Sequence, residues 1–227
     1  MSGVDAPNGY CRMKREVVST ARSELLKEGT RIEAITARSV LPRAFYERDA
    51  VEVARGLLGQ FLVLGRCAGR IVEVEAYLGV EDRAAHAWRG RTERTSVLYG
   101  PPGHVYVYLI YGMYECLNLV AEPEGSPGCV LIRALEPVAG IVAMRRRRPH
   151  VKSIHELCSG PGRLTRAMGI SRALYGTDAT SGPLTVREGE PVKAAEAGCG
   201  PRIGIKHCVD WPLRFWIAGN RSVSHTR

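Results

Sequence analysis

The sequence predicts an α+β fold: a single mixed domain with a curved antiparallel β-sheet, surrounding helices and a protruding β-hairpin. Three observations lead there. The 227 residues are 45% apolar, enough for one sizeable core. Helical and alternating segments are interleaved with no regular βαβ period, which argues against a doubly wound parallel sheet. Residues 105–118, VYVYLIYGMYECLN, alternate with period 2 on both sides of a Tyr-Gly pair, the pattern of a hairpin.

Taken in order, residues 1–40 are polar and of mixed charge with no sustained apolar face. They read as a flexible N-terminal extension, carrying a short helix over Ser19–Lys27, ahead of a domain over 41–227. DAVEVARGLLGQFLVLG opens with an N-cap candidate, Asp49. Val51, Val53, Ala54, Leu57 and Leu58 then follow helical spacing, Gly59 ends the helix, and a strand begins at QFLVLG. GRIVEVEAYLG alternates as a strand, with Val72, Val74 and Ala76 on one face and Ile71, Glu73, Glu75 and Tyr77 on the other. EDRAAHAWRGRTERT reads as a helix or helical turn followed by a basic loop, and YGPPGH as a turn. After the hairpin come a polar turn, a strand in CVLIRALEP and an apolar helix that ends in four arginines, Arg145 to Arg148. SIHELCSGPGRLTRAMGI gives helix, Gly-Pro-Gly turn and helix, and PRIGIKHCVDWPLRFWIAG two strands around a loop.

Composition narrows the function classes. No apolar run approaches the ~20 residues of a membrane helix, and the N-terminus lacks the apolar stretch of a secretory signal. The expected address is cytoplasmic (nucleoid-associated) or nuclear, not secreted. Seven cysteines at irregular spacing, none in a Cys-x-x-Cys pair, argue against a disulfide framework and a zinc site. Mostly buried thiols are expected, and neither a metal nor a cofactor. The net charge is +9, of which residues 1–40 contribute +2, seven basic against five acidic side chains. A basic body suits a polyanionic partner, although many basic proteins bind none.

Several stretches carry chemistry. Glu73, Glu75 and Tyr77 share a strand face. Two glutamates there fit a solvated edge, or else a buried carboxylate that activates water beside a tyrosine and a nearby histidine, His86. His86 itself is a structural hydrogen-bonder or a ring that stacks on a flat ligand; no second histidine stands at metal-binding spacing. In the hairpin, Val105, Val107, Leu109 and Tyr111 share one face and Tyr106, Tyr108 and Ile110 the other. Core packing explains Tyr106 and Tyr114. It explains Tyr111 poorly, because a tip has few core neighbours, whereas an exposed aromatic there suits a wedge between bases. Arg89, Arg91 and Arg94 after the histidine segment, the Arg145–Arg148 run, and the SGPGRLTR helix start are each either a solvated face or a phosphate seat.

These stretches, RIVEVEAYLGVEDRAAHAWRGRT, VYVYLIYGMYECLN, CVLIRALEP and ELCSGPGRL, resemble the alkyladenine (3-methyladenine) DNA glycosylase family in the family's order, from about Leu41 to Val223. The resemblance implies a monomeric enzyme that takes alkylated or deaminated purines (3-methyladenine, 7-methylguanine, with hypoxanthine and ethenoadenine as further candidates) out of double-stranded DNA. It would hydrolyse the glycosidic bond without cutting the strand, since no lysine sits in these pocket motifs as a Schiff-base nucleophile. Glu75 matches the general base and Arg133 an arginine that holds it. Tyr77, His86 and Tyr108 match the aromatic pocket, and Tyr111 the residue that fills the vacated stack. Asn118 matches the asparagine that crowds out guanine's exocyclic amine, and the stretch near Ile203 to Ile205 an apolar wall. Three rivals remain: a helix-hairpin-helix glycosylase using Asp178, which the mixed pattern disfavours; a non-catalytic nucleic-acid-binding barrel, which leaves Glu75 and Arg133 without a task; and an unrelated cytosolic hydrolase whose arginines are merely solvated.

Overall fold

Every strand pairing in the sheet is antiparallel. The computed structural model describes residues 26–224. Eight strands form the sheet: β1 (Phe61–Leu64), β2 (Cys67–Tyr77), β3 (Val105–Ile110), β4 (Tyr114–Ala121), β5 (Gly128–Ala139), β6 (Leu184–Arg187), β7 (Ala197–Gly200) and β8 (Arg214–Ile217). The main order is β3-β4-β5-β2-β1-β6, with β7 and β8 attached beside β2. The central strand, β2, pairs with β5 along one edge. Its other edge is divided, with Cys67–Arg70 against β1 and Glu73–Glu75 against β8. Among the described residues five helices complete the fold: α1 (residues 26–36), α2 (Arg43–Tyr46), α3 (Ala50–Leu57), α4 (Ile141–Arg147) and α5 (Pro161–Met168), with short 3-10 turns between elements. The α+β expectation holds.

Local chemistry explains the helices. Asp49 caps α3, its carboxylate accepting from Val51 N at 2.8 Å and Glu52 N at 3.3 Å. Ala50, Val53, Ala54 and Leu57 form the buried face of α3. The arginines that end α4 are not a free cationic patch. Arg147 donates to Ala167 O at 2.9 Å, Arg148 to Leu157 O at 2.6 Å and Arg145 to Lys152 O at 3.2 Å. They satisfy orphan carbonyls and tie α4 to α5 and the segment between them.

Three expectations change. Residues 26–40 are packed rather than loose. Ile32 and Ile35 of α1 meet Val63, Ala68 and Ala139, Glu28 accepts from Ile141 N at 3.0 Å, and Val40 bridges to Arg187. Two isoleucines three residues apart make too short a pattern to read, yet they suffice where the sheet offers an apolar patch. The expected helix over Ser19–Lys27 lies largely outside the described residues, as does the rest of the extension up to residue 25. In β2 the register with β5 shifts between Ile71 and Val74, a β-bulge. The bulge turns Ile71 to the core side with Val74 and Ala76, opposite to the face that strict alternation assigns it. In the tail, the partner of β8 is β7, which lies before Pro201; residues 201–213 run as a loop.

Among the described residues no helix is long and apolar enough to cross a membrane. Of the cysteines there, Cys67, Cys116, Cys129 and Cys158 are buried free thiols.

Candidate active site

The glutamates of β2 are not a solvated edge. Both side chains are wholly buried on the sheet face opposite the main core. Glu75 is met from three sides. Its Oε2 accepts from the Tyr77 hydroxyl at 3.0 Å, its Oε1 from Ile203 N at 2.7 Å, and Arg133 Nη1 lies 3.1 Å from the same Oε1. Arg133 also donates through Nε to Glu73 at 3.0 Å and through Nη2 to Ser224 Oγ at 3.4 Å. A buried carboxylate is costly unless paired and hydrogen-bonded, and both are. Burial raises the proton affinity of Glu75. The Arg133 charge, the Ile203 N–H and the Tyr77 hydroxyl oppose that, but the net direction is upward. Burial disfavours the charge on Arg133, and the two glutamates outweigh it, so the guanidinium is held charged.

Above these groups opens a cavity of about 740 Å³, whose lining includes Tyr77, His86, Tyr106, Tyr108, Asn118 and Arg133. Glu75 lies just beneath the floor, behind its neighbours Tyr77, Arg133 and Ile203, which do line it. The 3-10 turn His86–Arg89 places His86 exposed at the mouth. Its Nδ1 is 2.8 Å from the Tyr106 hydroxyl, and its ring meets Tyr108 edge-on with centroids 4.5 Å apart. Partial burial and then the charge of Arg94 lower its pKa to about 4, so the imidazole is neutral at physiological pH. Arg94 lies 5.4 Å over the Tyr108 ring. Asn118 faces Tyr106 across the hairpin and donates through Nδ2 to Tyr106 O at 3.1 Å, which fixes its amide in the pocket wall.

The hairpin ends where the sequence places it. Tyr111 and Gly112 have φ of 53° and 69°, and Met113 N donates to Ile110 O at 3.2 Å. A tyrosine in the left-handed region is uncommon and strained, and Gly112 completes the turn at no such cost. Tyr111 is 79% exposed and Met113 67%. Tyr114 departs from its expected core role. It is 45% exposed and lies against the first turn of α5, where a Cβ on Gly162 would come within 2.9 Å of it. Tyr106 is buried as expected, yet its hydroxyl also holds His86.

Of the three arginines singled out after the histidine, only Arg94 reaches the cavity. Arg89 stacks on Trp88 at 5.3 Å and Arg91 sits 6.0 Å from the Tyr99 ring. Arg83, Arg163 and Lys206 join Arg94 around the mouth. The GPGR stretch pointed to Arg163. Lys206, outside the motifs singled out in the sequence, also lines the cavity, because the loop after β7 folds over the site. Asp178, the rival's carboxylate, is not in the lining; it pairs with Arg43 and accepts from Thr180 N at 2.8 Å. Sequence reasoning missed three further groups: Glu73 as an anchor of Arg133, Ser224, and the fully buried Arg202–Asp82 pair. Arg202 Nη2 donates to Asp82 at 2.9 Å, and its guanidinium lies 4.6 Å over the Tyr77 ring.

Known proteins resemble this chain over most of its length. The family model for Methylpurine-DNA glycosylase (MPG) matches residues 44–221. A protein of Methanocella arvoryzae is 54% identical over 182 residues, covering 78% of this chain and 90% of that protein. One of Burkholderia lata is 51% identical over 191 residues, covering 82% and 91%, and one of Streptomyces avermitilis is 46% identical over 198 residues, covering 84% and 93%. All three carry the printed name "Putative 3-methyladenine DNA glycosylase". With the matched family spanning the hairpin, the buried glutamates and the loop that closes over them, the chain belongs to the methylpurine-DNA glycosylase family.

Proposed function

We propose that this chain removes alkylated purines, 3-methyladenine and 7-methylguanine first among them, from duplex DNA by base extrusion and hydrolysis. One observation carries the reading. An aromatic-walled cavity sits directly over a buried carboxylate already engaged by an arginine and a tyrosine hydroxyl.

A base inside the duplex hides its glycosidic bond, so it must be extruded, at a cost of a few kcal/mol. Tyr111, exposed at the hairpin tip, fills the gap, and Tyr77, Tyr108 and His86 contact the extruded ring. At about 1–3 kcal/mol per stack, a wedge and two or three ring contacts balance the extrusion. An N-alkylated purine is cationic and is attracted to the tyrosine faces, and the neutral His86 adds no repulsion. Asn118, held against the Tyr106 carbonyl, stands where it screens the purine edge, excluding guanine's exocyclic amine. Arg83, Arg94, Arg163 and Lys206 at the mouth suit the phosphates beside the extruded nucleotide.

In the chemical step, a water at Glu75 attacks the sugar C1′. Its proton passes to Glu75, and the bonding electron pair leaves with the base, neutralising a cationic purine. Burial makes Glu75 a stronger base than a surface carboxylate, and Arg133 favours its ionised form and holds it in place. Neutral lesions such as hypoxanthine and ethenoadenine also need protonation of the leaving ring, so they are slower substrates in this scheme. The product is an abasic site in an unbroken strand.

Glu75→Gln keeps the shape and removes the base. Single-turnover excision is expected to fall about 10²–10⁴-fold while lesion-duplex binding persists. Near-normal base release by this variant would refute the assignment. Strand scission at the lesion, dependent on Lys206, would refute the hydrolysis-only reading.

A further inference from the structure

We propose that Glu73, buttressed by Ser224, is a positioning residue that locks Arg133 in the orientation that engages Glu75. This rests on the reading of Glu75 as the base. Glu73 is wholly buried, two residues before Glu75 on the same strand, and has no contact with the cavity. Four donors converge on it. Oε1 accepts from Arg133 Nε at 3.0 Å, Ser224 Oγ at 2.9 Å and Arg214 Nη1 at 3.2 Å, and Oε2 accepts from Ser224 N at 2.7 Å. Arg133 is thereby gripped at each nitrogen: Nε by Glu73, Nη2 by the Ser224 hydroxyl and Nη1 by Glu75. A guanidinium is a rigid planar fork, so fixing Nε and Nη2 fixes where Nη1 points. Alternation sets Glu73 and Glu75 on one face of β2, and the bulge beside them returns Ile71 to the core.

The arrangement also divides the Arg133 charge between two carboxylates. The charged and titratable groups around Glu75 are Glu73 and Tyr77 on β2, Arg133 on β5, Cys116 on β4 and Arg202 in the loop after β7; Arg214 of β8 acts through Glu73. Glu73 raises the proton affinity of Glu75, and Arg133 lowers it. Glu73→Gln removes a like charge, which favours ionised Glu75, and weakens the hold on Arg133 Nε and so the contact of Arg133 with Glu75, which disfavours it. The two effects oppose each other in the acid limb, so the discriminating quantity is the rate on the plateau above it, where Glu75 is ionised and the placement of Arg133 is what differs.

The test is the pH profile of single-turnover excision on a duplex carrying one cationic alkylpurine, whose departure needs no further protonation. Glu73→Gln is expected to lower the plateau rate about 10²-fold, with unchanged affinity for the lesion duplex. A wild-type plateau rate overturns the proposal. If Glu73→Gln does not fold, Ser224→Ala decides: a slower excision at unchanged affinity, restored by Ser224→Thr, supports it, and a wild-type rate overturns it. An inactive Glu75→Gln together with a wild-type Glu73→Gln plateau rate overturns this inference alone, whereas an active Glu75→Gln overturns the base assignment itself.

Discussion

Replacing Arg202 with methionine probes a fully buried ion pair that supports the pocket from behind. Arg202 and Asp82 are both wholly shielded from solvent. Arg202 donates from both terminal nitrogens to the carboxylate and from Nη1 to Ala76 O at 3.0 Å. Methionine fills much of the stem volume, so the main effect is a buried carboxylate left with the N–H groups of Leu78 at 3.3 Å and Ala84 at 3.0 Å. Breaking a buried pair from one side costs about 3–5 kcal/mol. The unpartnered Nε of Arg202 places this pair at the low end, near ~3 kcal/mol. For a domain with a total stability of about 5–15 kcal/mol, that is a large share. A urea titration is expected to show the midpoint falling by ~1–2 M. Adding Asp82→Asn removes the stranded charge while keeping an acceptor, so the double variant recovers much of the loss. Ile203, next to Arg202 in the chain, then holds its N–H less firmly against Glu75, so excision slows in both variants. A loss below ~1 kcal/mol, or a double variant no better than the single, would refute the reasoning.

Two other outcomes follow from the same geometry. Tyr111→Ser removes one wedge stack from a residue that is 79% exposed, so lesion-duplex affinity drops about 5- to 150-fold, the equivalent of about 1–3 kcal/mol. The thermal midpoint stays put; a gel-shift titration with unchanged affinity would remove the wedge role. His86 is expected to titrate near pH 4 by NMR of its ring. Because its folded pKa lies below the unfolded value of about 6.5, the contribution of neutral His86 is complete above that value and is lost as pH falls towards 4. A ring pKa near the unfolded value would show that Arg94 and burial do not act on it.

The hairpin was legible because its information is local. Alternation over residues 105–111 and a Tyr-Gly tip fix both the faces and the turn, and Val107 and Tyr108 fall on the faces expected. The face of Glu75 and Tyr77 was legible for the same reason, and their roles came from resemblance. Ile71 was misassigned because a bulge changes the parity of a strand without marking the sequence. The four arginines of α4 looked like a phosphate seat, but carbonyls brought in by α5 and the preceding segment take up three of them. Arg202 finds Asp82 across 120 residues, and no local pattern encodes such a pairing.

The divided edge of β2 has a consequence for when the site exists. Its first half is paired with β1, a neighbour in sequence, but its second half waits for β8. The contacts that complete the floor span 128 residues from Glu75 to Ile203 and 151 from Glu73 to Ser224. During synthesis the hairpin, the aromatic walls and both glutamates emerge long before their last partners. Long-range closures of this kind come late in folding, so the wedge and walls are in place before the floor is armed. In the proposed scheme, a chain that has not yet made these contacts carries the wedge and the aromatic walls but releases no base, which ties chemical competence to completion of the fold.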